Sequence, residues 1–276
     1  FLNVWTPGLD ETARRPVLVY FHGGGYDNGS GSDPLYDGTR LCRRGDVVVV
    51  TVNHRLNAFG YLYLGLLGDT RHAASGNAGQ LDLVLALQWV RANIARFGGD
   101  PGNVTVFGQS GGGAKIATLM AMPAARGLFH KAWTMSGQQV TAAGPRAATQ
   151  RAQLFLQALD IDPVDTTAME RLHALPVEKI LEATGTRDPS RVEDTRLYFG
   201  PVMDRQVLPR HPFWPDAPAQ SAAIRSTPMT MAGSRSSGTV TSSSNREPPS
   251  RCTASTSAAT ARQRAMISGR FVAAAT

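Results

Sequence analysis

Apolar residues fall along this chain in two kinds of run, and their alternation outlines an architecture. RPVLVYF (15–21) is a continuous apolar stretch of strand length, the pattern of a strand buried on both faces of a parallel sheet. DVVVVTVN (46–53) is a second such run, and Val104, Val106 and Phe107 mark a third. KAWTMS (131–136) reads as the next strand, and LNVWTPG (2–8) as a strand leading into a turn. Helical spacing separates these runs. Residues 79–97 (GQLDLVLALQWVRANIARF) form an amphipathic pattern with Leu81, Val84, Leu85, Leu87, Trp89, Val90 and Ile94 on its buried side. Gly98-Gly99-Asp100-Pro101 stops that helix. Ala114, Ile116, Ala117, Leu119 and Met120 mark another helix. Residues 53–64 read as a turn followed by an aromatic segment. Weaker helices are predicted over 146–159 and 166–175, with a further turn near 178–183. Residues 197–218 are Pro-rich and extended, as in a loop covering the sheet edge. Strand alternating with helix in this order predicts the α/β class, with a mostly parallel, doubly wound sheet.

One junction in this pattern carries chemistry. Between the strand ending near Phe107 and the helix that follows lies Gly108-Gln109-Ser110-Gly111-Gly112, a G-x-S-x-G pentapeptide. A serine on a sharp strand-to-helix turn holds a strained backbone, and side chains two residues to either side would collide with neighbouring elements. Glycine at both flanks removes the collision. The hydroxyl then projects from the sheet edge, the N–H of the next residue points where an oxyanion would form, and the helix N-terminus adds a favourable field. In a chain with 28 glycines the pentapeptide alone is a weak signal. Its position between strand and helix strengthens it. So does His22-Gly23-Gly24-Gly25-Tyr26, which follows the first buried strand. By itself this is a flexible loop. Paired with the downstream pentapeptide, it becomes a second source of backbone donors to an oxyanion. Ligands in such sheets sit beyond the carboxyl ends of the strands, where both motifs fall.

Composition changes the picture only near the end of the chain. At 276 residues the sequence can build one large α/β domain. Its net charge of +7 hints at nucleic-acid binding, but residues 217–276 hold seven arginines against one acid, Glu247. The rest is close to neutral, and the basic tail has no aromatic interleaving beyond Phe271, so nucleic acid is not an expected partner. Ser and Thr make up a third of that tail and apolar periodicity vanishes in it. The expected division is therefore a partial α/β domain over 1–222 and a low-complexity tail over 223–276, disordered or out of frame. No membrane-spanning run is present, and there is no metal-spaced His/Cys cluster or phosphate loop, so neither metal nor cofactor is implied. Cys42 and Cys252 do not make a disulfide framework and fit a reducing, cytoplasmic compartment. The chain begins at Phe1 rather than Met, so its N-terminus is expected to be missing, and with it any signal peptide.

With these residues in hand, the chain resembles the type-B carboxylesterases, the group of cholinesterases and bacterial p-nitrobenzyl esterases. The resemblance rests on LNVWTP (2–7), VYFHGGGY (19–26), VNHRLNAFGYL (52–62), the stretch 76–113 with its FGGDP and G-x-S-x-G, FHKAWTMSGQ (129–138) and FGPVMDRQVLPRHPF (199–213). It covers residues 1–222, the N-terminal part of the family pattern. It implies an α/β-hydrolase fold, incomplete on its C-terminal side, and hydrolysis of small-molecule carboxylic esters through an acyl-serine. By position it implies Ser110 as the nucleophile and the N–H groups of Gly24, Gly25 and Gly111 as the oxyanion hole.

The resemblance also shows where this chain departs. The family usually has Glu and Ala around the serine, where Gln109 and Gly111 stand here. Gly111 keeps the N–H donor but loosens the turn, by about 0.5–1 kcal/mol. Gln109 removes a charge that the family buries, which predicts a changed local hydrogen-bond network. In this fold the acid and then the histidine of the triad follow the serine. The only acid after Asp216 is Glu247, a poor match as the triad acid, and no histidine follows His211, which belongs to a structural loop. His22 positions the glycine motif, and His54, His72, His130 and His173 carry no motif for a base. The composition breaks at Ala222–Ile224, where the family's next strand is due, so a frame shift or truncation is expected there. Three functions stay open: a serine carboxylesterase or its N-terminal part, a non-catalytic binding protein on the same fold, and a non-functional truncated product.

Overall fold

The computed structural model describes residues 1–67, 70–190 and 195–219, and the backbone of 225–226. These residues lie within the unit 1–229. Glu247, Cys252 and all but residues 225–226 of the expected tail 223–276 lie outside the described residues.

A sheet of six strands organises the chain: β1 (Leu2–Trp5), β2 (Arg15–Phe21), β3 (Val48–Val52), β4 (Gly99–Gln109), β5 (Lys131–Met135) and the two-residue β6 (Arg225–Ser226). Their order is β1-β3-β2-β4-β5-β6. Only β1 runs antiparallel, against β3; the other pairs are parallel. The fold is an α/β hydrolase with a mostly parallel sheet. β2 falls where the unbroken apolar run predicts it. β4 starts at Gly99 rather than Val104, because Arg15 pairs with Gly99 across an irregularity between Arg15 and Val17.

Seven helices are seen among the described residues: α1 (Thr39–Gly45), α2 (Asn57–Tyr61), α3 (Ala78–Asn93), α4 (Gly111–Met120), α5 (Pro145–Gln157), α6 (Ala168–Ala174) and α7 (Val177–Ala183). One sheet face is a valine layer in register. Val19 of β2 lies between Val50 of β3 and Val106 of β4, and Val17 lies between Val48 and Val104. All six are fully buried, together with Leu83, Leu87, Val90 and Ile94 of α3 and its following turn, and Ile116 and Leu119 of α4. Fully burying each such side chain stabilises the fold by about 1.5–3 kcal/mol. The other face is less evenly covered. Tyr20, Val49 and Thr51 are buried, Phe107 is half-buried and Trp133 is 40% exposed.

Several expectations change in detail. In α3 the inward residues are Gln80, Leu83, Val84, Leu87 and Val90; Leu85 is 54% exposed, and Leu81 and Trp89 are half-buried. The expected face holds at Val84, Leu87, Val90 and Ile94, and differs in that Leu83 rather than Leu85 points inward, because this helix is apolar over much of its circumference. The aromatic segment after residue 53 contains α2, which starts where Asn57, at φ 52°, donates its N–H to the Tyr26 carbonyl at 2.7 Å. The stretch 197–218 is irregular, but it is more than a cover. Leu208 is fully buried in the main core, and Asn77 ties the stretch down by donating to the Val202 carbonyl (2.7 Å) and accepting from its N–H (3.1 Å).

The corrected inward face makes a stability prediction. Leu87→Ala opens a cavity in the valine layer and is expected to cost about 2–5 kcal/mol. Leu85→Ala is expected to change stability by less than about 0.5 kcal/mol. Urea unfolding of the two variants checks this.

Candidate active site

The sheet register brings two loops together. Phe21, the last residue of β2, is level with Gly108 near the end of β4, so the chain leaves both strands at the same edge. After β2 come His22 to Tyr26, with Gly24 at φ 81° and Gly25 at φ 61°. After β4 comes Ser110, at φ 53° and ψ −121°, and then the first turn of α4. A non-glycine residue in such a conformation costs of order 1–3 kcal/mol. Neighbours hold it there: the Ser110 N–H donates to the Met135 carbonyl at 2.8 Å, and the Ala114 N–H donates to the Ser110 carbonyl at 3.1 Å.

The glycine loop lies directly on this turn. A Cβ on Gly111 would lie 2.3 Å from the Gly25 carbonyl oxygen and 2.4 Å from the Gly25 nitrogen. A Cβ on Gly23 would lie 3.7 Å from the Ser110 Cβ. The two motifs, 84 residues apart from Tyr26 to Ser110 in sequence, are thus one backbone-to-backbone contact. Gly111 is the first residue of α4, and helix geometry leaves the N–H groups of a first turn without intrahelical partners. Ser110, Gly25 and Gly111 therefore meet at one place, with Gly24 next to Gly25 in the loop and Ser110 half-buried. Gln109 is exposed, and its side-chain oxygen lies beside Gly23.

The histidines have other engagements. His211 Nδ1 accepts from the Ala142 N–H and His130 Nδ1 from the Val104 N–H, each at 3.1 Å. His72 and His173 have rings 6.3 Å apart. His22 is buried, its Nδ1 is 2.9 Å from the Gly23 carbonyl oxygen, and its ring stacks on His54 at 4.9 Å. Burial, then the nearby Lys115 cation, lowers the His22 pKa to about 4. Burial, Lys115 and His22 lower that of His54 to about 3. Among the described residues, no group of three or more His, Cys, Asp or Glu side chains is placed to hold a metal ion. No helix among them is long and apolar enough to cross a membrane.

Two neighbours of the site went unrecognised in the sequence. Gly137 lies so close that a Cβ there would overlap the Ser110 carbonyl oxygen at 1.8 Å. Lys115 is fully buried in α4. Its signal was a single cation in an otherwise small and apolar helix, GGGAKIATLM.

Comparison with known proteins places the chain in a family. The model of the carboxylesterase family matches residues 1–266. The para-nitrobenzyl esterase of Bacillus subtilis (strain 168) is 44% identical over 213 residues, 77% of this chain and 42% of that protein. Cholinesterase 1 of Branchiostoma lanceolatum is 47% identical over 164 residues, 59% of this chain and 43% of that protein. The crystal structure of the Geobacillus stearothermophilus carboxylesterase EST55 at pH 6.2 superposes with a TM-score of 0.73 at 41% identity, covering 82% of this chain and 45% of that one. The chain spans less than half the length of each of these relatives.

The stacked pair His22 and His54 makes a pH prediction. Both are neutral when folded, while in the unfolded chain each takes up a proton near pH 6.5. Below that pH the unfolded state binds more protons, so stability falls as pH falls. The loss from His22 is complete near pH 4 and that from His54 near pH 3. Urea midpoints are expected to drop between pH 7 and pH 5, and to drop less in His22→Gln.

Proposed function

The chain belongs to the carboxylesterase family, and from that premise we propose that Ser110 is the acyl-accepting nucleophile of a carboxylic-ester hydrolase. The Gly24, Gly25 and Gly111 N–H groups form its oxyanion hole. The observation that carries this reading is the contact between the Gly25 backbone and the first residue of α4, beside a strained serine. This contact supports the reading because it brings backbone of the two loops together beside the serine, as an oxyanion hole requires. In the reaction the Ser110 oxygen bonds to the ester carbonyl carbon. The carbonyl oxygen becomes an oxyanion facing these N–H groups, and the alcohol departs with a proton. Water then adds to the acyl-serine and frees the acid. The substrate is a small-molecule ester, and activated aryl esters are the first to try, since a para-nitrobenzyl esterase is among the relatives.

The proton of Ser110 needs a base. The described histidines show no contact that assigns one of them to it, and Glu247 lies outside the described residues. Lacking a triad member, such a site keeps only the rate enhancement of its oxyanion hole and binding, orders of magnitude below that of a complete triad. Slow but site-specific chemistry is therefore expected from these 276 residues. Fluorophosphonate treatment followed by peptide mass spectrometry is expected to place the adduct on Ser110 and to leave Ser110→Ala unmodified. Any p-nitrophenyl butyrate hydrolysis is expected to vanish in the same variant. An adduct on another serine, or hydrolysis undiminished in Ser110→Ala, overturns the assignment.

A further inference from the structure

Lys115 lies beneath the glycine loop, and nothing in the ester chemistry uses it. Every residue of α4 is buried, and Lys115 is 0% exposed. Its Nζ donates to the His22 carbonyl oxygen at 2.9 Å and sits 6.0 Å from the centroid of the Tyr26 ring. The α4 backbone at this point is held in turn by Gln80 of α3, whose side-chain amide donates to the Lys115 carbonyl at 3.1 Å. Among the described residues no carboxylate pairs with the ammonium. The titratable groups that face it are His22 and His54, with Tyr26 across its ring. Among the described residues, the His22 and His54 Nε2 atoms have no hydrogen-bond partner. A buried cation surrounded by neutral rings is expensive. Here it makes one directed contact, with the residue that starts the glycine loop.

We propose that Lys115 is a positioning residue for the oxyanion hole: its buried ammonium grips the His22 carbonyl from below and so holds the Gly24–Gly25 backbone against Gly111. The inference rests on reading that loop as the oxyanion hole. A hydrogen bond from a charged donor is about twice as strong as one from a neutral donor. Loss of the Lys115 proton therefore loosens the grip. Burial lowers the Lys115 pKa to about 7, whereas His22 and His54 titrate near 4 and 3. Tyr26 is pushed upward by its own burial. Between pH 6 and 8 Lys115 is thus the only one of these four groups to change charge. The loop follows its state: seated with the ammonium, loosened with the free amine. Two amides report the seating, because the Asp27 and Asn28 N–H groups both donate to the Gly24 carbonyl at 3.2 Å.

Amide NMR of the full chain tests this without requiring turnover. In the parent and in Ser110→Ala, the Gly24, Gly25, Asp27 and Asn28 amides are expected to shift together with a midpoint of about 7. In Lys115→Met that inflection is expected to disappear, and the Asp27 and Asn28 amides to exchange roughly tenfold faster, as the loss of a charged hydrogen bond implies. In Lys115→Arg, which keeps the charge throughout, the amides are expected to stay flat. An inflection that persists in Lys115→Met, or is missing from the parent, overturns the proposal. Should Lys115→Met not fold, the Lys115 Nζ resonance of the parent decides: a midpoint near the ordinary lysine value of about 10.4 overturns it. Fluorophosphonate labelling is read separately. A loop that titrates in a chain whose Ser110 takes no label refutes the esterase assignment and leaves the lysine grip standing. Labelling at Ser110 with a loop that does not titrate does the reverse.

Discussion

The Gly25 backbone occupies the space that any side chain on Gly111 would need, since a Cβ there would come within 2.5 Å of three Gly25 backbone atoms. That contact is possible only if the loop after β2 and the turn after β4 arrive at the same height, and parallel pairing with Phe21 opposite Gly108 delivers them there. The register is in turn held by the valine layer. A slip of one residue would turn Val17, Val19, Val104 and Val106 away from α3 and α4 and expose the opposite set. So the hydrophobic order of the sheet, far from any chemistry, sets where the glycine loop meets the serine turn. Gly111 also takes on a more definite role than the loosening expected of it: its missing Cβ is what admits the loop.

Two costs are carried at this place, both met by surrounding structure. Ser110 holds a backbone conformation rare for a residue with a side chain, anchored by β5 through Met135 and by the second turn of α4. Lys115 keeps a cation out of water with no counter-charge among the described residues. A helix buried along its whole length gains enough from Ile116, Leu119 and Met120 to tolerate one such residue. Both costs fall on α4, the element that also supplies Gly111. A helix laden in this way is one whose position the rest of the core must determine, and its packing between sheet, α3 and the glycine loop does so.

How much of this was legible depends on whether a feature is local. The strands at 15–21 and 131–135 appear in the sequence almost residue for residue, because continuous apolar runs flanked by turn formers have few other uses in an α/β chain. The two motifs that carry Ser110 and the glycines were legible for the same reason, as short patterns at strand ends, and the structure brings them into contact. The width of the α3 face was less legible: Val84, Leu87 and Val90 point inward as expected, but with apolar residues around much of the circumference the pattern does not separate buried Leu83 from exposed Leu85. Not legible was α2, whose start depends on a hydrogen bond from Asn57 to Tyr26, thirty-one residues earlier. Lys115 was invisible on principle: a lysine in a sequence reads as surface, and only the packing of α4 reveals that it is sealed in.

The site also separates two kinds of catalytic contribution. The proposed nucleophile and oxyanion donors are backbone-defined and need only β2, β4, β5 and α4, all among the described residues. Proton transfer needs a side chain with a free basic nitrogen aimed at Ser110. The described histidines are engaged elsewhere: His211 and His130 accept from backbone amides, and His22 and His54 stack on each other with pKa values too low for a base at neutral pH. Lys115, the one buried group whose pKa suits that task, directs its nitrogen at the His22 carbonyl instead. Its distance from bulk water is what brings its pKa into the neutral range, and the same burial commits it to the loop. The contact between the glycine loop and the serine turn therefore forms independently of any base, and its geometry is set by strands β2, β4 and β5 rather than by the completeness of a triad.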